Sequence, residues 1–89
     1  MGLQAVLHAL GDPTRREILN LLKKGPMQAT EIADRFPISA PAISKHLNVL
    51  KEAELVRCNK DGKYQIYTLS ASVLEEVMIW ITDLKEESL

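Results

Sequence analysis

Residues 37–56, "PISAPAISKHLNVLKEAELV", decide how the rest of the chain is read. Stepping 100° per residue from Ser39 gathers Ile43, Leu47 and Leu50 between about 20° and 80°. Pro41, Ser44, Lys45 and Asn48 fall between about 140° and 240°, on the far side, and His46 sits on the boundary. Ser39 is a good N-cap, and Pro41 lies in the first turn, where proline is tolerated. The segment thus predicts a short helix with one buried apolar stripe and one small, polar, cationic face.

On the N-terminal side, Leu3, Val6, Leu7 and Leu10 follow the i, i+3, i+4, i+7 pattern of an amphipathic helix that ends at Gly11. Asp12 caps a second helix with Pro13 at its first position, and that helix buries Ile18, Leu21 and Leu22 before Gly25-Pro26. A third, short helix is signalled by Glu31, Ile32, Ala33 and Phe36. Thr30 is its expected N-cap, with Gln28 as a start one turn earlier.

Beyond Glu54 the period changes. Residues 55–60 and 63–69 read as two strands around Asp61-Gly62, a dipeptide that suits a tight hairpin whose two central residues both have positive φ. Ser70 or Ser72 then opens a last helix to about Lys85. On its wheel Trp80, Val73, Leu84, Val77, Ile81, Leu74 and Met78 fill an arc of about 160°, wider than one side of a small domain needs. The expected order is α-α-α-α-β-β-α, mainly α with a small β hairpin. This is a winged helix-turn-helix, whose second motif helix fits a DNA major groove.

Eighty-nine residues suit one domain, and a chain this short gains from a partner copy. Apolar residues at 46% exclude a disordered chain, and no apolar run reaches the roughly 18 residues that span a bilayer. The N-terminus lacks the charge pattern of a secretory signal, and the single cysteine, Cys58, has no internal partner, so a cytoplasmic location is expected. The net charge of −1 conceals an asymmetry: residues 1–69 hold ten Lys/Arg against seven Asp/Glu, and residues 70–89 hold one against five. A basic body with an acidic last helix remains compatible with a nucleic-acid partner.

Three stretches in register, "GDPTRREILNLL", "ISAPAISKHLNVLKEAELV" and "KDGKYQIYTLS", resemble the ArsR/SmtB winged-helix repressors of bacteria from about Leu7 to Leu84. Within that family the short length, the Arg15-Arg16 pair and Trp80 are most similar to the SdpR-like autorepressors. The resemblance implies a dimeric repressor joined through its first and last helices, with one domain over residues 1–89. Metal-sensing members place a Cys-x-Cys pair on the third helix or His and carboxylate ligands on the last. Here residues 28–36 and the last helix contain neither Cys nor His, and the whole chain offers only His8, His46 and Cys58 as imidazole or thiolate ligands, so no metal or cofactor is expected.

The expected DNA contacts follow from position. Lys45 and Asn48 suit guanine and adenine edges, Ser39 and Ser44 suit phosphates near a helix N-terminus, and Pro41 shares their face. His46, Arg16 and the wing residues Arg57, Lys60 and Lys63 are expected to touch backbone phosphate. Arg15, nearer the buried side, is expected to form an internal ion pair. Cys58 alternates with Val56 and reads as packing. The dimer interface is expected from Leu3, Val6, Leu7, Leu10, Leu74, Val77, Met78, Trp80, Ile81 and Leu84.

No nucleophile–base arrangement, paired carboxylates or Gly-rich phosphate loop supports an enzyme. The rival reading is a winged helix that binds protein, as an adaptor or antirepressor, although the retained cations favour DNA. Release of repression by a sequestering protein or a small-molecule inducer leaves no mark in the sequence.

Overall fold

A computed structural model describes residues 2–87. It contains α1 (Leu3–Leu10), α2 (Pro13–Lys23), β1 (Met27–Gln28), α3 (Ala29–Ala33), α4 (Ala40–Glu52), β2 (Val56–Asp61), β3 (Tyr64–Leu69) and α5 (Ser72–Glu87). The winged helix-turn-helix is thus present with one element the sequence did not announce. The two-residue β1 pairs antiparallel with β3, Met27 opposite Tyr67 and Gln28 opposite Ile66, which makes β3 the centre of a three-stranded sheet in the order β1-β3-β2.

The caps behave as their residue types require. Asp12 Oδ2 accepts from the Arg15 backbone N–H at 3.1 Å, and Ser39 Oγ accepts from the Ala42 N–H at 3.2 Å, each satisfying a donor that the first helical turn leaves free. For α3 the cap is Gln28 rather than Thr30, because Glu31 reaches back to accept from the Gln28 N–H at 2.9 Å. The last carbonyls of α1 are met from the next helix. Arg15 donates to Ala9 O (2.8 Å) and His8 O (3.0 Å), and Arg16 donates to Leu10 O (2.7 Å). Arg15 is therefore chiefly a clamp on backbone carbonyls rather than half of an ion pair.

The end of α4 is a complete Schellman motif. The Leu55 N–H bonds Leu50 O and the Glu54 N–H bonds Lys51 O, both at 3.0 Å, while Glu54 occupies the left-handed position at φ +61°. Leu50 and Leu55, the pair that packs across such a turn, are both fully buried. This turn swings the chain directly from α4 into β2.

The hairpin register lies one residue from the expectation. Asp61 pairs with Tyr64, so Gly62 and Lys63 are the two turn residues, and only Gly62 (φ +63°) has positive φ. A turn with glycine first needs a single left-handed residue, as in the II′ class, and that is the register the strands select.

One core joins every element. Val6, Ala9, Ile18, Leu22, Ile32, Ile43, Leu47, Leu50, Leu55, Val56 and Tyr67 are buried, with Val73 and Val77 as the contribution of α5. Truncating a residue such as Leu47 or Leu50 to alanine there costs about 2–5 kcal/mol, a large share of a small domain's stability. The radius of gyration, 14.3 Å, exceeds the roughly 12 Å of a compact chain of this length. The excess comes with a long axis of 50 Å and a last helix that keeps much of its apolar surface exposed.

The expected dimer stripe is divided by this packing. Val6 and Val77 are buried within their own chain, and Leu10 and Leu74 are partly buried against the same core. Helix α1 packs on both α2 and α4, which draws one flank of its stripe inward. Leu3, Leu7, Met78, Trp80, Ile81 and Leu84 stay 36–66% exposed. Ile79, outside the expected arc, is 64% exposed as well.

Candidate nucleic-acid interface

The outward face of α4 forms because its inward face is anchored. Ile43, Leu47 and Leu50 are at most 2% exposed, which fixes the helix rotation and turns Pro41, Ser44, Lys45 and Asn48 to solvent together. Ser39, also exposed, caps the same end. Pro41, Ser44, Lys45 and Asn48 make one strip of a hydroxyl, an amide, an ammonium and a rigid ring, with the Ser39 hydroxyl at the helix end. Such a strip can hydrogen-bond base edges and phosphate oxygens at close range and leaves no bulk to hold the helix away.

His46 is set apart from that strip. Its side chain is 21% exposed, and its Nδ1 lies 3.2 Å from Arg15 NH1 and 3.9 Å from Asp12 Oδ2. The Asp12 carboxyl is held below its ordinary value, first by the Arg15 backbone N–H and then, against partial desolvation, by the nearby His46 and Arg15 side chains. Arg16 is exposed on α2, with part of its guanidinium already engaged on Leu10 O.

The wing cations do not share one face. Side chains alternate along β2, so Lys60 lies on the side of Val56 and Cys58, and Arg57 lies on the other. Lys60 and Lys63 open onto a cleft of about 270 Å³ together with Gln28, Thr30, Tyr64 and Gln65, and the Lys63 ammonium sits 5.6 Å from the Tyr64 ring centre. Arg57 stands at the base of the wing beside Lys51, Glu54, Ser70 and Ser72. Thr30, Gln28, Tyr64 and Gln65 were missed by sequence reasoning, since only the β1–β3 pairing brings residues 28–30 beside the hairpin. Ile38, 41% exposed just ahead of α4, was also missed, because an isolated apolar residue in a turn has no period to mark it.

Beneath the wing, Tyr67 faces Cys58 across the strands. Burial first, and the Cys58 side chain second, push the phenol up to about 12. Among the described residues, no group of three or more His, Cys, Asp or Glu side chains is placed to hold a metal ion, and no helix is long and apolar enough to cross a membrane.

Comparison with known proteins agrees with this geometry. Residues 12–57 match the model of a family described as bacterial regulatory protein, arsR family. The transcriptional repressor SdpR of Bacillus subtilis (strain 168) is 47% identical over 76 residues, which cover 85% of this chain and 84% of that one. The arsenical resistance operon repressor of Staphylococcus aureus is 36% identical over 76 residues, covering 85% and 73%. Among solved structures, an ArsR-like transcriptional regulator from Rhodococcus sp. RHA1 superposes with a TM-score of 0.91 at 35% identity, over 96% of this chain and 78% of that one.

Proposed function

This chain belongs to the ArsR family of DNA-binding transcriptional regulators, and from that premise we propose that it is a homodimeric repressor that binds an inverted-repeat operator without a metal signal. Its relatives and its fold are those of regulators rather than enzymes. The observation that carries the reading is the strip Pro41, Ser44, Lys45 and Asn48, turned outward by a helix whose other face is locked in the core, with the exposed Ser39 cap at its end.

In this reading residues 1–89 act as one domain in the cytoplasm, and two copies meet through the apolar surfaces of α1 and α5 that the protomer leaves open. Leu3, Leu7, Met78, Trp80, Ile81 and Leu84 support it, since exposed apolar surface of this extent needs a partner. Two-fold symmetry would present two α4 helices to successive major grooves, which is why the operator is an inverted repeat. Lys45 and Asn48 read bases, and Ser39, Ser44, Arg16 and His46 grip phosphates. The wing residues Lys60 and Lys63 reach the flanking backbone, with Arg57 further back. Occupancy of a promoter, its own included, then excludes polymerase. The donor set supports metal independence, because His8, His46 and Cys58 are the sequence's only imidazole and thiolate groups. Release then falls to a sequestering protein or a small-molecule inducer.

The test is an anisotropy titration of the purified protein on the DNA upstream of its own gene. Binding should be sequence-selective, at two chains per site, and should weaken by about a thousandfold or more between roughly 50 and 200 mM salt. Binding no tighter than to random duplex would refute operator recognition there. A pull-down by a protein partner with no DNA binding at all would transfer the exposed strip to protein recognition.

A further inference from the structure

Arg15 uses all three nitrogens of its guanidinium. Nε and NH2 hold the Ala9 and His8 carbonyls at the end of α1, and NH1 lies 3.2 Å from His46 Nδ1 on α4. Arginine nitrogens donate and never accept. The contact therefore makes Nδ1 the acceptor, which places the ring proton of a neutral His46 on Nε2. Asp12 does not compete for Nδ1. Its Oδ2 is 3.9 Å away, beyond hydrogen-bond range, and accepts from the Arg15 backbone N–H at 3.1 Å. No described protein group accepts from Nε2, and the side chain keeps 21% of its surface open.

We infer that Arg15 is a positioning residue for DNA binding: it locks His46 in the Nε2–H tautomer, leaving Nε2 as a donor to a backbone phosphate, and ties that donor to the seating of α1. Without the guanidinium, neutral imidazole would divide itself between two tautomers, and the one carrying its proton on Nδ1 presents a lone pair, not a donor, to the phosphate. The same side chain fixes the C-terminal end of α1, so a shift of α1 is felt at the α4 histidine through one group. Lysine at position 15 would keep the charge, but its single nitrogen cannot span two carbonyls and an imidazole.

The inference rests on the DNA-binding reading, and two measurements keep their failures apart. Long-range proton–nitrogen correlation spectra at neutral pH report the His46 tautomer with no DNA present. Wild type should show Nε2–H alone, and Arg15→Lys should show a mixture; a wild-type ring protonated on Nδ1 overturns the inference. The second measurement is anisotropy on a random-sequence duplex at low salt, since a phosphate contact needs no particular sequence. His46→Ala should weaken binding at least about fivefold, the worth of one hydrogen bond. Adding Arg15→Lys to His46→Ala should cost little more, because both changes remove one interaction. Additive losses, or a His46→Ala protein that binds as wild type does, overturn the positioning role while DNA binding stands. A wild type that binds neither this duplex nor its upstream DNA sinks the DNA-binding reading, and the inference with it.

Discussion

Replacing Glu54 by glycine should leave the protein more stable than replacing it by alanine, an unusual outcome at the junction between α4 and β2. Glu54 is the one described non-glycine residue with positive φ, and both hydrogen bonds of the Schellman turn depend on it. Holding an L-residue in the left-handed region costs roughly 1–2 kcal/mol. Glycine removes that strain but brings about 0.5–1 kcal/mol of extra unfolded-chain entropy. The net backbone gain is on the order of 0.5–1 kcal/mol, or about 2–8 °C in midpoint for a domain of this size, and loss of the Glu54 side chain's own interaction is set against it. Glu54→Ala separates backbone from side chain, since alanine keeps the strain and loses the carboxylate. Thermal melts at fixed protomer concentration would measure all three proteins, because a dimer's midpoint depends on concentration. The decisive quantity is the gap between the glycine and alanine variants, expected at about 1 kcal/mol in favour of glycine. Equal midpoints for the two would show that the left-handed turn stores no strain, and the reasoning would fail.

Lys45→Glu should weaken operator binding by at least about a hundredfold, from a lost base contact and new repulsion of phosphate, and leave the oligomeric state unchanged in sedimentation. Trp80, the only tryptophan, is 42% exposed in the protomer, so its emission should lie blue-shifted in a dimer and move red on dilution; Ile81→Glu should fix it at the red position and yield monomers. The Tyr67 phenol, raised from 10.0 to about 12, contributes stability that is complete below pH 10 and lost as pH rises from there towards about 12. A Tyr67→Phe protein should show no such loss over that window in urea melts at stepped pH.

Helices α2 and α4 were legible in the sequence because each announces itself twice, by a cap (Asp12, Ser39) and by an apolar period. The strand β1 was not. Two residues carry no period, and Met27 becomes a strand only because Tyr67, far along the chain, offers it an edge. The turn register escaped for a related reason: Asp-Gly is a local signal, while the pairing of Asp61 with Tyr64 belongs to the whole hairpin. The outward strip on α4 was readable residue by residue, since the buried stripe fixes the rotation. How the apolar stripes of α1 and α5 divide between core and open surface was not readable. Periodicity shows that α1 and α5 have apolar flanks, and cannot say that Val6 and Val77 meet their own core while Trp80 and Met78 do not. Arg15 looked like half of an ion pair because carbonyl partners leave no trace in a sequence.

The short strand β1 also sets where this protein can be cut. A fragment trimmed to the recognition unit, from α3 to the end of β3, would keep every residue of the exposed strip and both wing lysines. Its wing would then be a bare two-stranded hairpin, a form that is marginal in water on its own. With Met27 and Gln28 restored, β3 becomes a central strand again and the lysine tip is held against the start of α3. Anyone grafting this exposed surface onto another scaffold should therefore begin the graft no later than Met27, two residues ahead of α3.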